Sequence, residues 1–210
     1  MRRIERGRGV ATALAVATLL TLSAPGEAAA QGWDAPRMLG PYTPMDRSAL
    51  WVNPGNDEGG GDGVLLTWRP RGWSPQVSLR ALGVFGGAND RGGAGIDLRM
   101  PLALNEVAVT WQTGLGFSVS EATTRINLPL QLAASKSFSE GQVWIAPWAS
   151  AGFSLDWQSS PPRNGDDFDV LGVVEAGLDL SLDTQRQVVF RLGWSLWERH
   201  AFALGVALPY

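Results

Sequence analysis

Nine charged residues, Arg69, Arg80, Asp97, Arg99, Glu106, Arg125, Glu175, Asp179 and Arg191, stand on the polar side of stretches whose alternate positions are bulky and apolar. Both signs occur on neighbouring stretches. The chemistry they offer is ion pairing across an enclosed space, since charges taken out of water are tolerated only when paired. Two uses follow: a narrow ion-selective or solute pathway lined by these groups, or a closed, hydrogen-bonded plug. Acid–base and metal chemistry are poorly supplied. His200 is the only histidine and there is no cysteine, so a zinc site of the usual type lacks ligands. A lone histidine beside a turn reads as a solvated loop residue. The glycine-rich GGAGIDL at 92–98 does not open a helix and so does not fit a phosphate loop; it reads as a turn. Asp57, Glu58, Asp166 and Asp167 fall in connecting segments, where acids read as solvated surface rather than as divalent-cation ligands. No catalytic, cofactor-binding or metal-binding residue is assigned, and no cofactor is expected.

The elements that must position these charges show a period of two. In EVAVTWQTGLGFS, residues 106–118, Val107, Val109, Trp111, Leu115 and Phe117 alternate with Glu106, Ala108, Thr110, Gln112, Gly114, Gly116 and Ser118. That is the signature of a strand with two unlike faces, not of a helical stripe. The pattern recurs with Ile126, Leu128, Leu130 and Leu132, with Val143, Ile145, Phe153 and Leu155, and with Val170, Val174, Leu178, Leu180 and Leu182. It recurs again with Val188, Phe190, Leu192, Trp194 and Leu196, and upstream with Ile96, Leu98, Met100, Leu102 and Leu104, with Val77, Leu79 and Phe85, and with Val64, Leu66 and Trp68. With the terminal stretch this gives nine strands from Asp62 onward, and SALWV at 48–52 supplies a tenth. Connections near 183–186, 139–141, 105 and 70–74 are short. They alternate with connections near 198, 158–167, 119–122, 87–92 and 53–61, three of which are longer and rich in glycine, proline and acid. An even strand number with short turns at one end and longer loops at the other is the pattern of transmembrane barrels. Eight strands result if two of the runs form one bent strand or an appended edge.

Ahead of the strands, Arg2, Arg3, Arg6 and Arg8 precede an uncharged apolar stretch at 10–22, and Ala28, Ala29 and Ala30 follow. A basic start, an apolar run of that length and a small-residue cleavage site describe a secretory signal peptide cut after Ala30. The run is short for a transmembrane helix, which needs about 20 apolar residues. Residues 31–47 form an irregular, Pro- and Gly-rich lead-in. Residues 31–210 carry thirteen basic and eighteen acidic side chains, a net charge of −5, which argues against nucleic acid as a partner. With no cysteine, stability cannot rest on disulfides. Charged residues make up only 18%, below the quarter typical of soluble domains, and Lys136 is the only lysine.

Sheets this amphipathic must close on themselves, and volume decides which face points in. A barrel of about eight strands is only just wide enough inside for side chains to fill it, and bulky residues from nearly every strand would overfill it. The final stretch HAFALGVALPY places Ala201, Ala203, Gly205, Ala207 and Pro209 on its other face. Such a face has no charge to hold it in water, yet turned inward it makes room for charged side chains from other strands. The Leu, Val and Trp rows therefore face lipid, where only helices and closed barrels satisfy every backbone amide. Trp68, Phe117, Trp157, Phe168, Trp197 and Tyr210, near strand ends, suit the interfacial aromatic belts.

Phe202, Leu204, Val206, Leu208 and a terminal Tyr210, apolar at every second position, resemble the C-terminal signal of bacterial outer-membrane β-barrels. The end residue is Tyr where Phe is more usual. The resemblance implies a small barrel of 8 to 10 strands in the cell outer membrane, with outer-membrane lipid around it and the barrel-assembly machinery engaging the C-terminal strand. Oligomeric state stays open. Barrel enzymes of this class are similar in fold but differ in their residues. Lipid A deacylases carry a His and a Ser two positions apart, whereas Phe202 stands two past His200, and omptin-like proteases need an Asp where Glu198 and Phe202 stand. The expectation is an all-β, closed antiparallel up-and-down transmembrane β-barrel of ten strands (alternatively eight) over 48–210. It is non-enzymatic, with porin-like passive transport or a structural envelope role. The alternatives are a lipid-modifying barrel enzyme around His200 and an adhesin-like surface binder.

Overall fold

The computed structural model describes residues 46–56, 61–70, 76–85, 90–104, 106–120, 123–159, 166–183, 185–196 and 201–209. Regular structure among them is all strand: β1 (Asp46–Asn56), β2 (Gly61–Trp68), β3 (Val77–Phe85), β4 (Arg91–Leu104), β5 (Ala108–Ser120), β6 (Thr124–Ser135), β7 (Phe138–Glu140), β8 (Val143–Ser159), β9 (Asp166–Ser181), β10 (Val189–Ser195) and β11 (Ala201–Pro209). Strands form where β-branched, aromatic and aliphatic residues alternate with small or polar ones, because the pleat sends successive side chains to opposite faces.

Except for β6 and β7, neighbours in sequence pair antiparallel, and β1 also pairs with β11. The decisive contact is β6 with β8, which joins the two ends of the sheet into a ring. The short β7 continues β6 along the same edge of β8. The interruption lies at Lys136, whose N–H donates to the Pro147 carbonyl at 3.3 Å. Counted as staves, with β6 and β7 as one, the barrel has ten, so the ten-stranded expectation holds rather than the eight. Gly141, at φ +62°, occupies the first central position of the two-residue β7–β8 loop, where a II′ hairpin turn asks for glycine. Pro101 is accommodated inside β4 because the register shifts between Pro101 and Ala103, and a bulge spares a ladder bond that proline cannot make.

A row of paired residues can be followed around the ring from Ala146 through Asp179, Arg191, Gly205, Trp51, Leu65, Leu82, Gly93, Ser118 and Arg125. It returns to β8 at Gln158, twelve residues beyond its start. For ten staves that slip sets a strand tilt of about 40° and a backbone radius of about 10 Å.

Sidedness is the reverse of a soluble barrel. Leu66, Trp68, Ile96, Leu115, Phe117, Leu128, Leu132, Phe153, Phe190, Leu204 and Leu208 are exposed on the outer surface, while arginines, carboxylates and amides are buried inside. Two tryptophans that the sequence reading left unassigned lie inside. Trp144 and Trp148 share the inward parity of Ser150, Ser154 and Asp156 and are buried. They belong to an interior apolar cluster that includes Leu65, Leu82, Val84 and Val189. The connection expected at 158–167 is shorter than the pattern implied, since β8 and β9 claim 158–159 and 166–167, and β1 begins at Asp46. The expected signal peptide and lead-in, up to residue 45, together with Asp57, Glu58, Trp197, His200 and Tyr210, lie outside the described residues.

Candidate functional site in the barrel interior

Strand parity brings the charged residues together. Arg69, Arg80, Arg99 and Arg125 project inward from β2 to β6, with Asp97 among them. Arg69 immediately follows β2 and keeps its parity. Asp156, Glu175 and Asp179 project inward from β8 and β9, with Arg191 beside them on β10. The interior is therefore polarised, with one arc of wall mostly basic and the facing arc mostly acidic. On a cylinder of this slip, Arg69 and Glu175 fall about half a turn apart.

Each arc holds a buried ion pair of its own. Arg80 Nε lies 2.7 Å from Asp97 Oδ2, a diagonal contact, since Arg80 stands opposite Gly95 and Asp97 opposite Ser78. Arg191 Nε lies 3.2 Å from Asp179 Oδ1, and those two residues are direct cross-strand partners. Glycine makes the first pair possible. A Cβ on Gly114 would stand 2.5 Å from Asp97 Oδ1, and one on Gly95 would stand 3.3 Å from Arg80 Nη2. The pair lies flat over bare backbone that any larger residue would occupy.

Further polar contacts hold the remaining carboxylates and arginines. Ser150 Oγ donates to Glu175 at 3.2 Å, Ser154 Oγ donates to Asp156, and the Arg125 guanidinium donates to Gln158. Asn127 and Gln131, inward positions of β6 on either side of the buried Pro129, are buried with both amide atoms lacking a hydrogen-bond partner among the described residues. Near the turn end of the barrel, Trp148 lies over Gly177, its direct neighbour on β9. Below it the Arg186 guanidinium sits 4.6 Å from the centre of the Trp144 ring, a cation–π contact. Arg186 is the non-glycine residue with positive φ (52°) among those described.

Accessibility shows what this arrangement can do. Side chains lining a standing column of water would present much of their surface to it. Asn127 is 0% exposed, Arg191 and Asp179 1%, Gln131 2% and Arg80 4%. The interior is filled side chain against side chain over the height that these residues span.

Of the nine charges expected in the interior, Glu106 stands elsewhere. It precedes β5 in the bend at the turn end, is exposed, and pairs with Lys136 across the rim at 3.3 Å. Its place in the alternation was carried two residues ahead of the true strand start at Ala108. The other eight are buried. Sequence reasoning passed over Trp144 and Trp148, and it did not count Asn127 and Gln131, which share the polar face of Arg125, among the candidate site residues. The parity of β8 and β6 carried the signal, since each shares its face with residues already assigned inward. Of the C-terminal alternation, Leu204, Val206 and Leu208 are exposed outward, and the half-buried Phe202 ring lies 5.2 Å from that of Trp194.

Neither the protein-family models nor the curated proteins give a match. Among solved structures, one described as KdgM porin in complex with disordered oligogalacturonate is similar at a TM-score of 0.39 and 12% identity, covering 78% of this chain and 99% of that one. A likeness at that level adds nothing to the barrel that the strand pairings already establish.

Proposed function

We propose that this chain is a small, non-enzymatic outer-membrane β-barrel whose interior is a charge-paired polar core, closed at rest, serving as a porin-like element of the envelope. The observation that carries the reading is the reversal of faces on a closed ring. Large apolar side chains stand outside, paired arginines and carboxylates inside, and every stave is tied to two neighbours. In water that surface would be a liability. In lipid it is required, and closure leaves no sheet edge unsatisfied. On the cylinder set by the register, the outward apolar band from Leu208 to Phe85 measures about 25 Å along the axis, the height of the band on outer-membrane barrels. The leader and the alternating end of β11 fit export and assembly in that membrane.

The test has two parts. Full-length protein should fractionate with outer membranes, need detergent to dissolve, and migrate differently on gels before and after boiling. A folded, monodisperse protein in detergent-free periplasmic extract overturns the reading. In planar bilayers the refolded barrel should show no steady current at rest. One observation favours a second reading, passive conduction. The buried amides of Asn127 and Gln131 have no hydrogen-bond partner among the described residues, and buried polar groups without one call for water. A steady unitary current would select that reading.

A further inference from the structure

β9 is paired with β8 along its whole length, from Asp166 opposite Ser159 to Ser181 opposite Trp144. On its other side, among the described residues, β10 accompanies it between Glu175 and Leu180, with a further bond from the Leu196 N–H to the Val174 carbonyl. The chain then turns back, for Ala201 already stands opposite Ser195. Among the described residues, no strand runs beside residues 166–171 on that side, and the described strands leave an open sheet edge at the loop end of the barrel.

An open edge is a ready template for another strand. This one is chemically distinctive. Residues 167–170 are all exposed, so neither face of the ribbon is covered at that height. Asp167 and Asp169 have the parity of the inward residues Val173 and Glu175, whereas Phe168 and Val170 have the outward parity. Phe168, at 63%, is the most exposed large apolar residue among those described. A strand added here would meet carboxylates at every second position on one face and apolar side chains on the other. Cross-strand neighbours share a face and opposite charges directly across attract, so the fitting partner alternates basic with apolar residues.

We propose that the open edge of β9 at residues 166–171 docks an extended segment of a partner protein, six or so residues long, in which Arg or Lys alternates with aliphatic residues. Main-chain hydrogen bonds supply the binding and the two aspartates set its register and sign, which is strand addition to a sheet edge. The proposal rests on the membrane reading only in placing this edge above the apolar band. The edge itself follows from strand pairing.

The experiment uses full-length protein refolded in a non-ionic detergent, its folded state checked by the shift between boiled and unboiled gel bands. A labelled hexapeptide alternating arginine and valine is titrated and its anisotropy followed. Saturable binding is expected, weakened at least about tenfold in an Asp167→Asn/Asp169→Asn variant. An Asp167→Lys/Asp169→Lys variant should release it and accept a hexapeptide alternating glutamate and valine instead. Both positions are exposed, so the variants should fold. The proposal is overturned if folded wild-type protein shows no saturable binding. It is overturned equally if the neutral or reversed variant binds the arginine peptide as well as wild type does. A peptide with three arginines followed by three valines that binds equally well would also overturn it, since only an aligned strand needs the alternation. Failure to obtain a folded, detergent-requiring barrel bears on the membrane reading, not on this one.

Discussion

The chain sets the same chemical device in two surroundings. Arg191–Asp179 inside the barrel and Lys136–Glu106 on its rim are both ion pairs bridging neighbouring elements, at 3.2 and 3.3 Å. The first pair is essentially inaccessible, with side chains 0% and 1% exposed; the second is 44% and 89% exposed. Distance is not what separates them. Removing a charge from water costs several kcal/mol before any attraction is counted, so inside the barrel a lone charge is the expensive state. At the rim water already satisfies both groups and the pair adds little. The interior pair thus specifies which strands sit side by side, while the rim pair decorates a turn.

The sharpest way to break this contrast is to orphan the buried arginine. Asp179→Asn should destabilise the folded barrel by about 3–5 kcal/mol, read as a shift of the urea midpoint in reversible refolding. Replacing both partners together, Asp179→Leu with Arg191→Met, should restore much of that loss, because two apolar groups leave nothing uncompensated. If the single and double variants are equally unstable, the pair does not govern the interior.

Charge on the other face tests the same principle from outside. Leu115, midway along β5, is half exposed on the apolar surface. An arginine there should cost about 2–4 kcal/mol in bilayers, as at the midplane of membrane barrels. The same substitution should be tolerated if the surface faced water. Refolding into vesicles compared with wild type decides between these outcomes.

Packing beneath the aromatic layer sets the next step down. Trp148 covers Gly177 closely enough that an added methyl would overlap its ring. Gly177→Ala should cost about 1–3 kcal/mol through overpacking, again read from the urea midpoint. Gly92, where a Cβ would meet nothing within 4 Å, provides the control and should change little.

Strand alternation made most of the barrel legible, because a period of two states which residues share a face whether or not the partners are known. It gave the ten staves, the reversal of faces and eight of the nine interior charges. What it could not give was register. Whether Asp179 meets Arg191 or slides past it depends on pairing across strands, and so does the flat seat that Gly95 and Gly114 offer to Arg80 and Asp97. Glu106 was misplaced for a related reason. Alternation carried two residues beyond a strand end looks the same in sequence but lands on the rim. Trp144 and Trp148 were left unassigned, although their parity with Ser150 pointed inward.

The rim pair supplies the smallest and most diagnostic effect. Lys136 sits at the break between β6 and β7, where its backbone N–H already bonds Pro147, so its side chain is not needed to hold the strand. With Glu106 89% exposed, screening by water and salt limits the pair to about 1 kcal/mol or less. Lys136→Met should therefore move the urea midpoint only slightly in dilute buffer, and the difference from wild type should vanish near 1 M salt, where screening acts within about 3 Å. Asp179→Asn should keep its deficit at every salt concentration, since ions do not enter the filled interior. A Lys136 effect as large and as salt-resistant as that of Asp179 would mean that the rim is covered in the native protein, and the contrast drawn from exposure would fail.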